Sequence, residues 1–245
     1  MIIVRPEDVF HKVQLLRLLT EIADTTALSR NLFFKGGTCA SMLGYLDRFS
    51  VDLDFDLRRN VDEAILKKEF YKVFKRLDLK VSDESKKVLE FFLKYEAPHG
   101  KRNTIKLDAL STGFRSNVYK AFYLPEVDRF LSCQTIETMF AHKLVAAVDR
   151  FEKHFSIAGR DIYDIHYFYL HGYSYSRQLV EERTGMRLPD FLRKLIDFIE
   201  KQISQRVINE DLNTLLPLNR FQKIRKVLKT ETLVFIKDDL ARLGF

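Results

Sequence analysis

Between Val51 and Leu57 apolar and acidic residues alternate without a break. Val51, Leu53, Phe55 and Leu57 fall on one side of an extended segment and Asp52, Asp54 and Asp56 on the other. A period of two marks a β-strand, because successive side chains leave opposite faces of the pleat. One face must therefore meet an apolar core while the other carries a row of carboxylates. Like charges on one side of a strand repel, and burying them unpaired is costly. Either the acids face water along an edge strand, where charge discourages aggregation, or something positive sits over them. Magnesium takes oxygen ligands and is held by one or two carboxylates together with substrate phosphates. Asp52 and Asp54, two residues apart on one face, suit such ions.

The segments before this strand sharpen the choice. Val13, Leu16, Leu18, Leu19 and Ile22 recur at helical intervals after Pro6, which predicts an amphipathic helix from about Glu7 to Ala27. The apolar run Asn31 to Lys35 then enters Gly36-Gly37-Thr38, and a helical pattern resumes from Cys39 to Leu46. The order is strand, glycine turn, helix. Glycines let backbone N–H groups approach a ligand closely, and a helix start presents its positive end to phosphate. Thr38 is placed to cap that helix or to touch a phosphate oxygen. A Gly-Gly-Thr alone describes many turns. Ahead of a helix and then a diacid strand it is more specific, because phosphoryl transfer needs a phosphate cradle and a metal platform directed at one point.

Further along, Val61 to Leu77 reads as a helix, and Lys80 to Ser82, Val88 to Tyr95 and Asn103 to Leu110 as strands, the last two joined through Pro98-His99-Gly100. In the third strand, Lys106, Asp108 and Leu110 alternate with Ile105, Leu107 and Ala109. From Gln134 onward the apolar spacing is helical: Ile136, Phe140, Leu144, Ala147 and Phe151, then Ile162, Ile165 and Phe168, then Leu192, Leu195, Ile196 and Ile199. The expected fold class is α+β. An α/β half with a mixed or antiparallel sheet flanked by helices spans 1–130, and a helical domain spans 131–245. No Pro/Gly/Ser-rich linker marks the boundary near Leu131.

Composition bounds the rest. Twenty-one Phe and ten Tyr with no Trp and nine Gly, in a chain 46% hydrophobic, imply a core of bulky rings. No apolar run reaches the ~18 residues of a membrane helix, and the N-terminus carries no basic segment leading into a signal-type stretch. Cys39 and Cys133 form no metal-spaced pair. A cytoplasmic protein with no membrane partner is expected. The net charge of +7 favours approach to a polyanion such as nucleic acid. Arg58-Arg59 and the stretch Arg220 to Lys229 are candidate backbone contacts, the latter equally a solvated helix face. The six histidines show no zinc-type arrangement.

The run KGGTCASMLGYLDRFSVDLDFDL, Lys35 to Leu57, resembles the first signature of the polymerase-β-type nucleotidyltransferases, specifically the AbiEii/AbiGii toxin family of bacterial toxin-antitoxin and phage-defence systems. There the glycine turn is followed by a helix, an Arg-Phe-Ser segment, here Arg48-Phe49-Ser50, and a metal-binding Asp-x-Asp, here Asp52 and Asp54; Asp56 lies outside that pair. KLVAAVDR, Lys143 to Arg150, and GRDIYDI, Gly159 to Ile165, resemble the family's lysine helix and its Arg-Asp-x-x-Asp signature. The likeness extends from Phe34 to Phe168.

On a helix Lys143, Ala147 and Arg150 share a face, and the small Ala146 and Ala147 allow close approach. The resemblance gives Lys143 a β- or γ-phosphate to neutralise; read without it, Lys143 is a surface lysine. Asp161 either forms a salt bridge that orients Lys143 or Arg150, or belongs to the active site, or both, with Asp164 supporting. Asp108 is the candidate third carboxylate. The activity implied is transfer of a nucleotide from a nucleoside triphosphate (NTP), held by Gly36, Gly37, Thr38 and Lys143, to an acceptor hydroxyl. Asp52 and Asp54 would bind two Mg2+ ions and Asp108 would assist deprotonation. The implied acceptor is tRNA and the implied cellular partner a cognate antitoxin. The rival expectations are a protein-modifying enzyme of the same fold, acting on Ser, Thr or Tyr, and a non-catalytic nucleic-acid-binding module.

Overall fold

The computed structural model of the chain describes residues 5–6, 8–111 and 113–244. Helix α1 (Asp8–Asp24) buries Leu15, Leu18, Leu19 and Ile22, one stripe at helical spacing. Its expected start at Glu7 lies outside the described residues. It ends at Asp24 rather than Ala27, and a separate short helix α2 (Thr26–Ser29) follows. Next come β1 (Leu32–Lys35), α3 (Gly36–Met42), β2 (Leu53–Leu57) and α4 (Glu63–Arg76). The Asp62 carboxylate opens α4 by accepting the N–H groups of Ala64 and Ile65 at 2.9 and 3.3 Å, and Lys75 and Arg76 offset the negative end of its dipole. Strands β3 (Lys80–Glu84), β4 (Leu89–Lys94), β5 (Thr104–Leu110), β6 (Tyr119–Leu124) and β7 (Arg129–Gln134) complete one seven-stranded sheet ordered β3-β4-β5-β2-β1-β7-β6. The sheet is mixed: β2 runs parallel to β5 and β1 to β7, and the other pairs are antiparallel.

One sheet face is core. Phe34, Phe55, Phe91, Leu107 and Ala109 are buried on it, and α4 packs against β3 and β4 while α1 packs against β7. The rings of Phe70, Phe74 and Phe91 lie 5.2–5.9 Å apart, where the sequence's abundance of phenylalanine is spent. Full burial of each such ring stabilises by about 1.5–3 kcal/mol.

The chain divides into two compact units, Met1–Gly113 with Tyr119–Gln134, and Phe114–Val118 with Thr135–Phe245. The sheet therefore runs to Gln134, past the expected boundary near Leu131, and residues 114–118 belong with the helices. The second unit holds α5 (Ile136–His154), α6 (Gly159–Leu170), α7 (Arg177–Thr184), α8 (Leu188–Gln202), α9 (Gln205–Leu212) and α10 (Leu218–Arg242). Helix α5 packs on α6, α7 and α8, and α10 on α6, α8 and α9. Gly159 opens α6 where a Cβ would sit 2.8 Å from the Val207 carbonyl oxygen, so α9 can lie this close only on a residue without a side chain. Among the described residues no helix is long and apolar enough to cross a membrane.

Candidate active site

The sheet register assembles the acids. Lys35 of β1 lies opposite Asp54 of β2, Asp54 opposite Asp108 of β5, and Asp108 opposite Glu90 of β4. Directly paired residues share a face, so these four form one row across four strands, on the face turned away from the core. Asp52 sits just before β2, which begins at Leu53 rather than Val51.

Asp56 follows the second of the two expectations for the acid row, a positive group over the carboxylate. It is fully buried, and its carboxylate accepts from the Lys35 ammonium at 2.5 Å, the Tyr119 hydroxyl at 2.8 Å and the Gln134 amide at 2.6 Å. The positive group answering this acid is thus a lysine of the neighbouring strand. Tyr119 is held in place by stacking on Phe33, with centroids 4.1 Å apart and planes 18° from parallel. Lys35, Tyr119 and Gln134 were not singled out in the sequence; the alternation that puts Lys35 on the acid face was the available signal for it.

Asp108 is held differently. The Lys106 ammonium, two residues earlier on the same strand, lies 2.7 Å from Asp108 Oδ2 and 2.8 Å from Glu90. Asp108 Oδ1 is buried and has no hydrogen-bond partner. Burial raises the Asp108 pKa to about 6; Lys106 opposes this, while the charges of Asp54 and Glu90 add to it. Glu90, more open to water, is held below the usual range by Lys106.

The glycine turn is part of a helix. Helix α3 begins at Gly36 and ends at Met42, not Cys39 to Leu46 as the pattern suggested, with Lys35 at the N-cap and no side-chain cap. Gly36 has φ +78°, and a Cβ there would lie 2.3 Å from Asp54 Oδ2, so the carboxylate rests directly on bare backbone. A Cβ on Gly37 would meet the Arg48 guanidinium and the Ser50 hydroxyl, each at 2.9 Å. Arg48 is buried and donates to the Phe49 carbonyl at 3.0 Å, which gives the Arg-Phe-Ser segment a packing role against the glycines. Thr38 does not cap the helix. Its buried hydroxyl donates to the Asp52 carbonyl at 2.5 Å and ties the first turn of α3 to an acidic residue.

His11, which the sequence left without a role, braces the same segment. Its Nε2 donates to the Val51 carbonyl at 2.9 Å and its Nδ1 lies 2.6 Å from the Tyr95 hydroxyl. Burial lowers its pKa to about 4. Cys39 and Cys133 are free and buried, and burial pushes the Cys39 thiol well above its ordinary pKa, which suits packing rather than nucleophilic chemistry.

A second polar cluster lies in the helical unit. Lys143 of α5 reaches Asp161 at 3.0 Å and Asp164 at 2.9 Å, both buried on α6, and Arg150 approaches Asp161 at 3.4 Å. Burial pushes Asp161 up, but Lys143, Arg150 and Arg160 outweigh it and hold the carboxyl below its ordinary pKa. Lys143, Arg150, Asp161 and Asp164 are thus brought together as a charge network. His142 bonds Asn117 and Arg183, and His166 bonds Glu231, within the same unit.

Among the described residues, no three or more His, Cys, Asp or Glu side chains gather as a protein-only metal site. The carboxylates of Asp52 and Asp54 are nonetheless the oxygen donors a hard cation takes when it completes its shell with other oxygens. A cation held by Asp54 would relieve the repulsion between the Asp54 and Asp108 charges.

Comparison with known proteins extends this picture. The family described as nucleotidyl transferase AbiEii toxin, type IV toxin–antitoxin system, matches residues 17–226. No curated protein matches the chain. Among solved structures, JHP933 from Helicobacter pylori is similar with a TM-score of 0.60 at 20% identity, covering 99% of this chain and 97% of that one. MenT4, a nucleotidyltransferase toxin from Mycobacterium tuberculosis, is similar with a TM-score of 0.54 at 16% identity, covering 97% of this chain and 88% of that one. At such identities the likeness is one of fold.

Proposed function

Because the chain belongs to the AbiEii family of nucleotidyl transferase toxins of type IV toxin–antitoxin systems, we propose that it transfers a nucleotide to an RNA hydroxyl from the sheet face carrying Asp52, Asp54 and Asp108. Family membership brings a nucleoside triphosphate substrate and an antitoxin partner. The acceptor proposed here is tRNA, which the net charge of +7 and the exposed Arg58 and Arg59 favour.

The reading rests on the Asp54–Asp108 pairing across β2 and β5. The acceptor oxygen attacks the α-phosphorus, the bond from that phosphorus to its bridging oxygen breaks, and pyrophosphate leaves. Asp108 accepts the acceptor's proton; a carboxylate with a pKa near 6 is ionised at neutral pH yet still basic enough to serve. Asp52 and Asp54 would hold divalent metal, Mg2+ by their all-oxygen chemistry, which supplies Lewis-acid stabilisation of the phosphates when bound. Gly36 and Gly37 offer side-chain-free backbone to the triphosphate, and the first-turn N–H groups of α3 have no side-chain cap. Thr38 contributes its own N–H and fixes Asp52. Lys143 is the proposed phosphate-contacting cation of the helical unit, with Asp161 and Asp164 orienting its ammonium.

The test is incubation with total tRNA, Mg2+ and each of the four α-labelled nucleoside triphosphates, beside Asp54→Ala. Label on RNA that the variant fails to transfer is expected, and it names the nucleotide. Label on protein alone would replace this reading with a protein-modifying enzyme; RNA binding without transfer would replace it with a binding module.

A further inference from the structure

The sheet face bearing Asp54 and Asp108 continues beyond the carboxylates toward the edge strand β6. Phe34 of β1 and Cys133 of β7 pair on the core face, both fully buried. Phe33 of β1 and Phe130, Ser132 and Gln134 of β7 therefore take the opposite, carboxylate-bearing face. Tyr123 of β6 pairs with Phe130 and shares that face. Phe130 is 73% exposed and Tyr123 47%, with ring centroids 5.3 Å apart and planes inclined by 48°. Among the described residues no strand lies beyond β6. The edge strand carries the exposed Lys120, and the pair Tyr123 and Phe130 presents two aromatic rings to water on the carboxylate-bearing face.

An arginine lies at the same level. The N–H of Arg58, the residue after β2, donates to the Asn31 carbonyl at 2.8 Å, at the start of β1. The parallel register of β1 with β7 sets that level beside Phe130. Alternation from Asp54 through Asp56 assigns Arg58 to the carboxylate face, and Arg30, Arg58 and Arg59 are all exposed. The nearby acids are engaged: Asp128 accepts from the Tyr123 hydroxyl at 2.7 Å and Asp24 pairs with Arg129 at 2.6 Å. Strand rise and strand spacing place Phe130 about 16 Å from Asp54.

We infer that Phe130 and Tyr123, with Arg58, form a landing platform for unpaired nucleotides of the acceptor strand, on the same face as the carboxylates. Bases stack on the rings and phosphates meet the Arg58 guanidinium, the combination by which proteins hold single-stranded nucleic acid without reading its sequence. Arg58, with Arg30 and Arg59 exposed beside it in the chain ends that flank β1 and β2, favours this polyanion over an apolar protein surface. The inference rests on the reading that the acceptor is RNA, and it adds where the strand leading to the reacting hydroxyl is held.

The chain contains no tryptophan, so Phe130→Trp in the full-length protein gives a single reporter. With Asp54→Ala also present to remove turnover, its emission is titrated with oligoadenylate and with a blunt RNA duplex of equal length. Quenching by the single strand, weakening as salt rises, and little by the duplex is expected. Phe130→Ala should raise KM for RNA on the order of tenfold, with kcat and thermal unfolding near wild type, and Phe130→Trp should restore KM. Label transfer to RNA by the wild type together with no quenching, equal quenching by the duplex, or an unchanged KM in Phe130→Ala would overturn the platform while leaving the proposed reaction intact. Absence of transfer to RNA by the wild type would sink the acceptor reading; quenching would still support the nucleic-acid surface, and its absence would remove that as well.

Discussion

Replacing Gly36 by alanine loads two separable costs onto one position. At φ +78° the added Cβ brings left-handed strain, about 1–2 kcal/mol for an L-residue. It would also lie 2.3 Å from Asp54 Oδ2 and 3.0 Å from the Asp54 Cβ. The carboxylate ends a side chain and can retreat, so the fold survives. An ordinary van der Waals contact, however, requires it to move by about 1 Å, and a misplacement of that size in a reacting site costs on the order of 100-fold in rate. Gly44 supplies the control, since it has φ +79° and nothing within 4 Å of a Cβ. Gly36→Ala should lose at least the stability that Gly44→Ala loses, because the Asp54 Cβ at 3.0 Å cannot swing away as the carboxylate can. At about 2–4 °C per kcal/mol for a chain of this size, the drop in Tm by circular dichroism is about 2–8 °C in Gly44→Ala and at least that in Gly36→Ala. Only Gly36→Ala should lose roughly two orders of magnitude in label transfer, assayed well below both transitions. Equal activity in the two variants would refute the claim that the Gly36 backbone sets the position of Asp54.

Other perturbations act on single features. Asp108 serves as a base only when ionised; burial lifts its carboxyl to about 6 in the metal-free protein and a cation on Asp54 would lower it, so the rate should fall about tenfold per unit once pH drops below a value at or under 6; Asp108→Asn should be slower throughout and lack this limb in a pH–rate profile. His11 is held near 4 against 6.5 for the free side chain. As pH falls the unfolded chain therefore takes the proton first. The stability concerned is fully present above pH 6.5 and is lost toward pH 4, about 3 kcal/mol in all by urea denaturation, and His11→Gln should flatten that slope. Lys143→Met strands the buried Asp161 and Asp164, with an expected loss of about 3–5 kcal/mol. Adding Asp164→Asn should recover part of it, whereas an unchanged melting curve for the single variant would contradict the network. Gly159→Ala meets the Val207 carbonyl at 2.8 Å and should cost about 1–3 kcal/mol of overpacking, visible in the same melting experiment.

What was legible in the sequence follows from where the physics is local. Strand β2 could be read because one of its faces is core and the other carboxylate, so the period of two survives in the residues themselves. Helix α4 could be read because its buried stripe falls at helical spacing. Strands β6 and β7 are not legible in the sequence: β6 lies at the sheet edge, where Lys120, Ala121 and Tyr123 are exposed and burial imposes no clean alternation, and β7 straddles the boundary expected near Leu131. The start of α3 was set too late because Gly36 and Gly37 read as a turn. Their purpose, contact with Asp54 and with Arg48 and Ser50, is made by residues that the chain brings back later. Pairing of Asp54 with Asp108, rescue of Asp56 by Lys35, and the sharing of Lys143 between two carboxylates depend on register and helix packing. One sequence places these residues on faces but does not say which faces meet.

Parallel reactions with α-labelled and γ-labelled nucleoside triphosphate, on wild type, Asp52→Ala and Asp54→Ala, test the proposed chemistry most directly. The expected result is α-label on RNA in amounts equal to the pyrophosphate released, γ-label only in that pyrophosphate, and neither product from the variants. Appearance of γ-label on the acceptor, or undiminished transfer by either aspartate variant, would contradict nucleotidyl transfer from this face of the sheet.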